Sequence, residues 1–146
     1  MLKNIPGCLS SDLFAAMMEM GHLDEIVLAD SNFPGFSHAQ RIIHCEGFSI
    51  PRLLNEMLTF LPLDDLSSSC AYVMKVSRKG VGTPPIWSEY EKIIEAKEQK
   101  AHCIDQLDRF DFYARAHKAY AVVLTDEKAI FANIILTKGI VKRIEP

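Results

Sequence analysis

Glu25-Ile26-Val27-Leu28-Ala29-Asp30 is an apolar run closed by an acid at each end, and Ser31-Asn32-Phe33-Pro34-Gly35 follows it. No polar residue interrupts Ile26 to Ala29, so the run lacks the alternation of a half-exposed strand. Its length and flanking turn formers predict a strand covered on both faces, with Asp30 delivered at its C-terminal end. Working back toward the N-terminus, Ser10-Ser11-Asp12 offers helix-capping oxygens. Leu13, Met17 and Met20 then recur at helical spacing until Gly21-His22 stops the helix. Working forward, Arg41 to Cys45 predicts a second short strand, and Pro51 opens a helix carrying Leu53, Leu54, Met57, Leu58 and Leu61 on one face.

The alternation continues to the end of the chain. Ala71 to Val76 predicts a strand, Ser77 to Pro85 a surface loop, and Pro84-Pro85 the start of a helix through Trp87, Tyr90, Ile93 and Ile94. The charges from Glu95 to Lys100 read as the solvated face of that helix. Cys103 to Leu107 is a weak strand, Phe110 to Ala119 a helix and Tyr120 to Leu124 a strong strand. Asn133 to Leu136 is a last strand, closed by Lys138-Gly139. Strands alternating with helices predict an α/β fold whose sheet is covered on both faces. No internal repeat is present.

The 146 residues suit one domain, 1–146. Hydrophobic residues at 49% and charged residues at 24% exclude a disordered or fibrous chain. Sixteen Lys+Arg against nineteen Asp+Glu give a net charge of −3, which argues against nucleic acid or an anionic membrane as the main partner. The N-terminus has no apolar stretch of signal-peptide length, and no window approaches a membrane span, so a cytoplasmic protein is expected. Cys8, Cys45, Cys70 and Cys103 form no C-x-x-C pair and, although an even count alone allows two disulfides, read as reduced, mostly buried thiols.

In an open, mostly parallel sheet the ligand crevice lies beyond the carboxyl ends of the strands, which singles out Asp30 and its loop. His22 lies at the other end of the same strand, and spacing alone does not bring the two together. By itself His22 reads either as a capping histidine at a helix C-terminus or as an acid/base group. The histidines at 22, 38, 44, 102 and 117 make no H-x-x-x-H or H-E-x-x-H pattern, so a metal site has only residue type behind it. Dinucleotide, NTP and serine-hydrolase motifs are absent. Arg109-Phe110-Asp111-Phe112-Tyr113 reads either as two core phenylalanines with a snorkelling arginine or as a sugar site, where Arg and Tyr donate to hydroxyls beside an apolar ring face.

Met20-Gly21-His22-Leu23-Asp24-Glu25-Ile26-Val27-Leu28-Ala29-Asp30-Ser31-Asn32-Phe33-Pro34 resembles the signature of the L-fucose mutarotase and D-ribose pyranase (RbsD/FucU-like) family. The resemblance continues at Leu61 to Asp64, Pro85 to Tyr90, Arg109 to Ala116 and Asn133 to Gly139. The R-F-x-F-Y-x-R-A and P-x-W-x-E-Y blocks are similar to the fucose branch. This likeness implies a three-layer α/β/α fold with a central, mostly parallel sheet of about six strands. It implies an isomerase that interconverts the α and β anomers of a reducing monosaccharide, L-fucose foremost, without a cofactor or metal. It also implies a catalytic His22, sugar contacts from Asp30, Asp64, Arg109, Tyr113, Phe131 and Asn133, and a homo-oligomer, commonly a decamer, with sugar sites near subunit contacts. Two positions depart from the family pattern. Phe131-Ala132-Asn133 stands where Tyr-Gly-Asn is usual, so a phenolic hydroxyl is missing, and Leu23 replaces a usual glycine.

The chemistry suits these residues. Mutarotation removes a proton from the anomeric hydroxyl and delivers one to the ring oxygen, and a histidine side chain both accepts and donates near neutrality. Asp30 either orients His22 or holds sugar hydroxyls, Arg109 supplies fixed donors, and Tyr113 either shuttles the second proton or only binds. Three rival readings remain: a sugar-binding or transport-accessory protein without catalysis, a ribose pyranase, and a metal-dependent isomerase.

Overall fold

The structure, a computed structural model, describes residues 2–142. The stretch from Glu25 forms β1 (Glu25–Ala29), whose residues beyond Glu25 are buried. It lies inside a six-stranded sheet with β2 (Ile42–Cys45), β3 (Ala71–Met74), β4 (Ile104–Leu107), β5 (Ala121–Thr125) and β6 (Ile134–Thr137). The sheet order is β2-β5-β1-β6-β3-β4. All pairings are parallel except those of β6, which runs antiparallel to both β1 and β3. The α/β fold with a mostly parallel sheet is therefore as the sequence predicts.

β1 reads as an unbroken apolar run because helices cover both faces of the sheet. Ile26 and Leu28 face a core shared with α1 (Ser11–Glu19), α2 (Ile50–Met57) and α3 (Pro85–Glu98). Val27 and Ala29 face a smaller core with Phe112, Ala116 and Ala119 at α4 (Arg109–Lys118). The strand's two-residue period sends neighbours to opposite layers, and both layers are apolar. α4 is tied down by Arg115, which pairs with Glu25 and stacks 3.8 Å over the Tyr72 ring.

Most element ends fall within two residues of the predicted ones, while α2 stops at Met57, short of Leu61. Two expectations are corrected. Cys70 and Cys103, read as thiols, form a disulfide with a Cα–Cα distance of 5.4 Å, while Cys8 and Cys45 are free and buried. Each bonded cysteine directly precedes its strand in the parallel β3–β4 pair, so register sets them side by side. Phe110, one of the two phenylalanines read as core, is exposed, whereas Phe112 is fully buried. Among the described residues no helix is long and apolar enough to cross a membrane.

Five strands point the same way, so their carboxyl ends and the start of antiparallel β6 share one end of the sheet. That end carries Asp30, Met74 and Asn133, and the opposite end carries His22 and Asp64.

Candidate functional site

At the carboxyl end, a cavity of about 270 Å³ is lined by Asp30, Tyr113, Phe131, Asn133 and Arg78, with Met74 among its apolar walls. Asp30 is 7% exposed. Its Oδ1 accepts the Asn32 N–H at 3.0 Å, while its own backbone N–H donates to Asn133 Oδ1 at 2.7 Å. Burial pushes the Asp30 carboxyl above the usual range, against the pull of the Asn32 and Phe33 N–H groups and the Asn133 side chain. Tyr113 packs on Phe33 with ring centroids 5.7 Å apart and on His38 at 4.9 Å. No intramolecular hydrogen bond holds the Tyr113 hydroxyl among the described residues, so it is available to a ligand. Acceptors from a carboxylate, donors from an amide, a phenol and a guanidinium, and apolar walls suit a small polyol.

The backbone behind Asn133 is set by α3. Trp87 Nε1 donates to the Phe131 carbonyl at 2.8 Å, and the Tyr90 hydroxyl donates to the Ala132 carbonyl at 2.6 Å. Phe131 takes φ +54, a left-handed conformation held by these bonds. Thus Trp87 and Tyr90, which stand out in the sequence as motif residues, act on the cavity from behind. A larger cleft of about 660 Å³ runs alongside and shares Ile130. Its Glu127 already accepts from the Ile50, Lys128 and Ala129 N–H groups.

The opposite end holds His22, on a turn fixed from several sides. Asp24 Oδ2 accepts the Gly21 N–H at 2.7 Å, Leu23 N–H donates to the Lys138 carbonyl at 2.9 Å, and Lys138 Nζ caps α1 at the Met17 and Met20 carbonyls. His22 Nε2 lies 3.6 Å from Asp64 Oδ1, with the imidazole one-third exposed and the carboxylate buried. Asp64 Oδ1 and Oδ2 accept the Leu66 and Ser67 N–H groups at 3.1 and 3.3 Å. The Ser67 hydroxyl, these N–H groups and His22 hold the Asp64 carboxyl below its ordinary value. Leu23 takes φ +70, which costs a non-glycine residue about 1–2 kcal/mol and explains why glycine suits this position.

The predicted site residues therefore fall into two groups. Asp30, Tyr113, Phe131 and Asn133 share the cavity, and His22 with Asp64 shares the far end. Asp30 does not orient His22 within one chain, because β1 spans about 17 Å between them. Arg109, at the start of α4, is exposed and stacks 5.2 Å over the Phe110 ring, outside the residues that line the cavity. Arg78 and His38 do not stand out in the sequence, since no motif or periodicity marks a lone loop cation or a lone histidine. Among the described residues, no three His, Cys, Asp or Glu side chains stand close enough to hold a metal ion.

Comparison with known proteins gives a consistent picture. A fucose mutarotase of Homo sapiens is 45% identical over 149 residues, covering 95% of this chain and 94% of its own length. An L-fucose mutarotase of Haemophilus influenzae is 39% identical over 140 residues, covering 96% of this chain and 97% of its own. Among solved structures, the fucose mutarotase of Streptococcus pneumoniae in complex with L-fucose superposes with a TM-score of 0.92 at 47% identity, covering 97% of this chain and all of that one. Bacillus subtilis RbsD complexed with D-ribose, at 20% identity and a TM-score of 0.73, bears on the fold alone. The model of the RbsD / FucU transport protein family matches residues 3–141, and the chain belongs to that family.

Proposed function

We propose that this protein is an isomerase that interconverts the α and β anomers of L-fucose by opening and closing the sugar ring. The observation that carries this reading is its full-length likeness, at 47% identity, to a fucose mutarotase solved with L-fucose. The cavity at Asp30 supports it, with polar groups of both kinds set among apolar walls.

In the forward step the proton of the anomeric hydroxyl is removed, the bond between the anomeric carbon and the ring oxygen breaks, and the ring oxygen takes up a proton. The open-chain aldehyde rotates about its first carbon–carbon bond and closes by the reverse path to the other anomer. Nothing is oxidised or reduced, so the step needs only groups that position hydroxyls and move protons. Asp30 accepts from sugar hydroxyls, the Asn133 amide and Tyr113 hydroxyl bind at the same edge, and His22, oriented by Asp64, is the acid/base group. Because His22 and Asp30 lie at opposite ends of β1 in one chain, the histidine of each complete site comes from a second copy in a homo-oligomer. Exposed apolar residues beside both groups support such contacts: Leu23 and Leu66 near His22, Ile130 at the cavity.

Saturation-transfer NMR on equilibrated L-fucose tests the reading. Exchange between the anomer signals should rise well above the buffer rate with the parent protein and fall to the buffer rate with His22→Ala. A parent that shifts the sugar signals without speeding exchange is a binder and overturns the proposal. D-ribose run beside L-fucose, with faster pyranose–furanose exchange than anomer exchange, would move the chain to the pyranase reading.

A further inference from the structure

Within one chain the cavity lining carries one full positive charge, Arg78. Arg78 lies on the loop after β3, and its guanidinium makes no hydrogen bond or ion pair among the described residues. The placement of Arg78 is built into the backbone. The Val81 N–H donates to the Arg78 carbonyl at 3.4 Å, and Gly80 takes φ +80. A bond from the first to the fourth residue with a positive φ at the third is the pattern of a type II turn, which glycine at that position favours. Arg78 opens the turn where the chain leaves Met74, itself in the cavity wall. The buried Asp30 carboxylate lines the same cavity, so a ligand held there meets both an acceptor and a planar set of donors.

We propose that Arg78 is a substrate-contacting residue of the sugar site, donating to ring or hydroxyl oxygens in the cavity it shares with Asp30 and thereby setting affinity for the monosaccharide. This rests on the functional reading above. A hydroxyl pair on adjacent ring carbons matches the guanidinium fork, and the same fork strengthens its bonds as negative charge develops on a sugar oxygen during ring opening.

The test compares Arg78→Ala, Arg78→Lys and Gly80→Ala with the parent, reading kcat and KM for L-fucose by saturation-transfer NMR and the thermal midpoint alongside. Loss of a charged hydrogen bond to the ligand should raise KM about tenfold or more in Arg78→Ala. The melting temperature should not move, since the side chain holds nothing in the free protein. Arg78→Lys should recover part of the loss, as its point charge lacks the fork. In Gly80→Ala no atom obstructs the new methyl group, yet the φ is strained, so a raised KM there reports the placement of Arg78 by its turn. A KM within twofold of the parent in Arg78→Ala overturns the proposal. If the parent fails to speed exchange, the mutarotase reading falls, and saturation-transfer difference on bound L-fucose still decides the role of Arg78. A sugar signal shown by the parent and abolished by Arg78→Ala upholds that role. A signal that persists in Arg78→Ala, or that the parent does not show, overturns it.

Discussion

Asp30 and Asp64 are both buried carboxylates, yet their surroundings act on them in opposite directions. Burial dominates at Asp30 and raises its pKa, while hydrogen bonds dominate at Asp64, the Ser67 hydroxyl first, and lower its pKa. The raised value means that the folded chain binds a proton at Asp30 more tightly than the unfolded chain does. Ionised Asp30 therefore costs stability above its folded pKa, and the cost disappears below the unfolded value of about 3.9. Asp30→Asn should raise the thermal midpoint at pH 7, with a gain that shrinks to nothing toward pH 4, and should lower kcat/KM about tenfold through loss of a charged acceptor. Asp64 has the reverse sign. Its ionised form stabilises the fold above the unfolded value and loses that effect as pH falls through the depressed folded one, so Asp64→Asn should lower the midpoint at pH 7 and approach the parent in acid. Melting curves at a series of pH values read both signs. An Asp30→Asn variant less stable than the parent at pH 7 would show that the carboxylate holds its loop together rather than serving a ligand.

At the scale of elements, helix and strand positions were legible because both patterns survive in the primary sequence, and what stayed hidden lies in contacts between distant segments. Ile26 to Ala29 declares a strand covered on both faces, but nothing in it says that the antiparallel neighbour is β6 or that Asn133 will lie beside Asp30. Trp87 and Tyr90 stood out as residues, while their task of holding the carbonyls of Phe131 and Ala132 is a relation across more than 40 positions. Cys70 and Cys103, 33 residues apart, give no sign of pairing in the sequence for the same reason. Gly139 shows how close such a relation can be. A Cβ there would lie 2.3 Å from the Leu63 carbonyl oxygen and 2.9 Å from the Asp64 nitrogen, both backbone atoms that yield poorly. The Gly139 N–H also donates to the Pro62 carbonyl, and the Asp64 N–H to the Thr137 carbonyl, so the end of β6 positions Asp64 against His22. Gly139→Ala should cost about 1–3 kcal/mol, the usual range for overpacking. Because the displaced segment carries Asp64 and not the cavity, kcat should fall more than KM rises. Denaturant unfolding with steady-state exchange kinetics separates the two effects, and an unaltered kcat in a destabilised variant would detach Asp64 from the orientation of His22.

For the whole molecule, the proposed function turns the separation of the two residue groups into a demand on assembly. The lining of the cavity at Asp30 includes no histidine, the far end holds His22 outside that cavity, and β1 stands between them as a rigid spacer within the sheet. Closing one end of a chain onto the other end of a neighbour is a head-to-tail contact, and such contacts form rings when the rotation closes. A site built this way needs one intact His22 and one intact Asp30, each from a different chain. Oligomers of His22→Ala alone or Asp30→Asn alone then contain no intact site. In mixed oligomers co-expressed from equal amounts of the two variants, each site draws its halves independently, so about one quarter of the sites regain both residues. Exchange on L-fucose should therefore recover to roughly that fraction of the parent rate, above either variant alone. If each site were completed inside one chain, every chain in the mixture would carry a defect and mixing would recover nothing. Refolding the two purified variants together and apart, at matched total concentration, removes expression level as a variable and leaves the origin of His22 as the quantity measured.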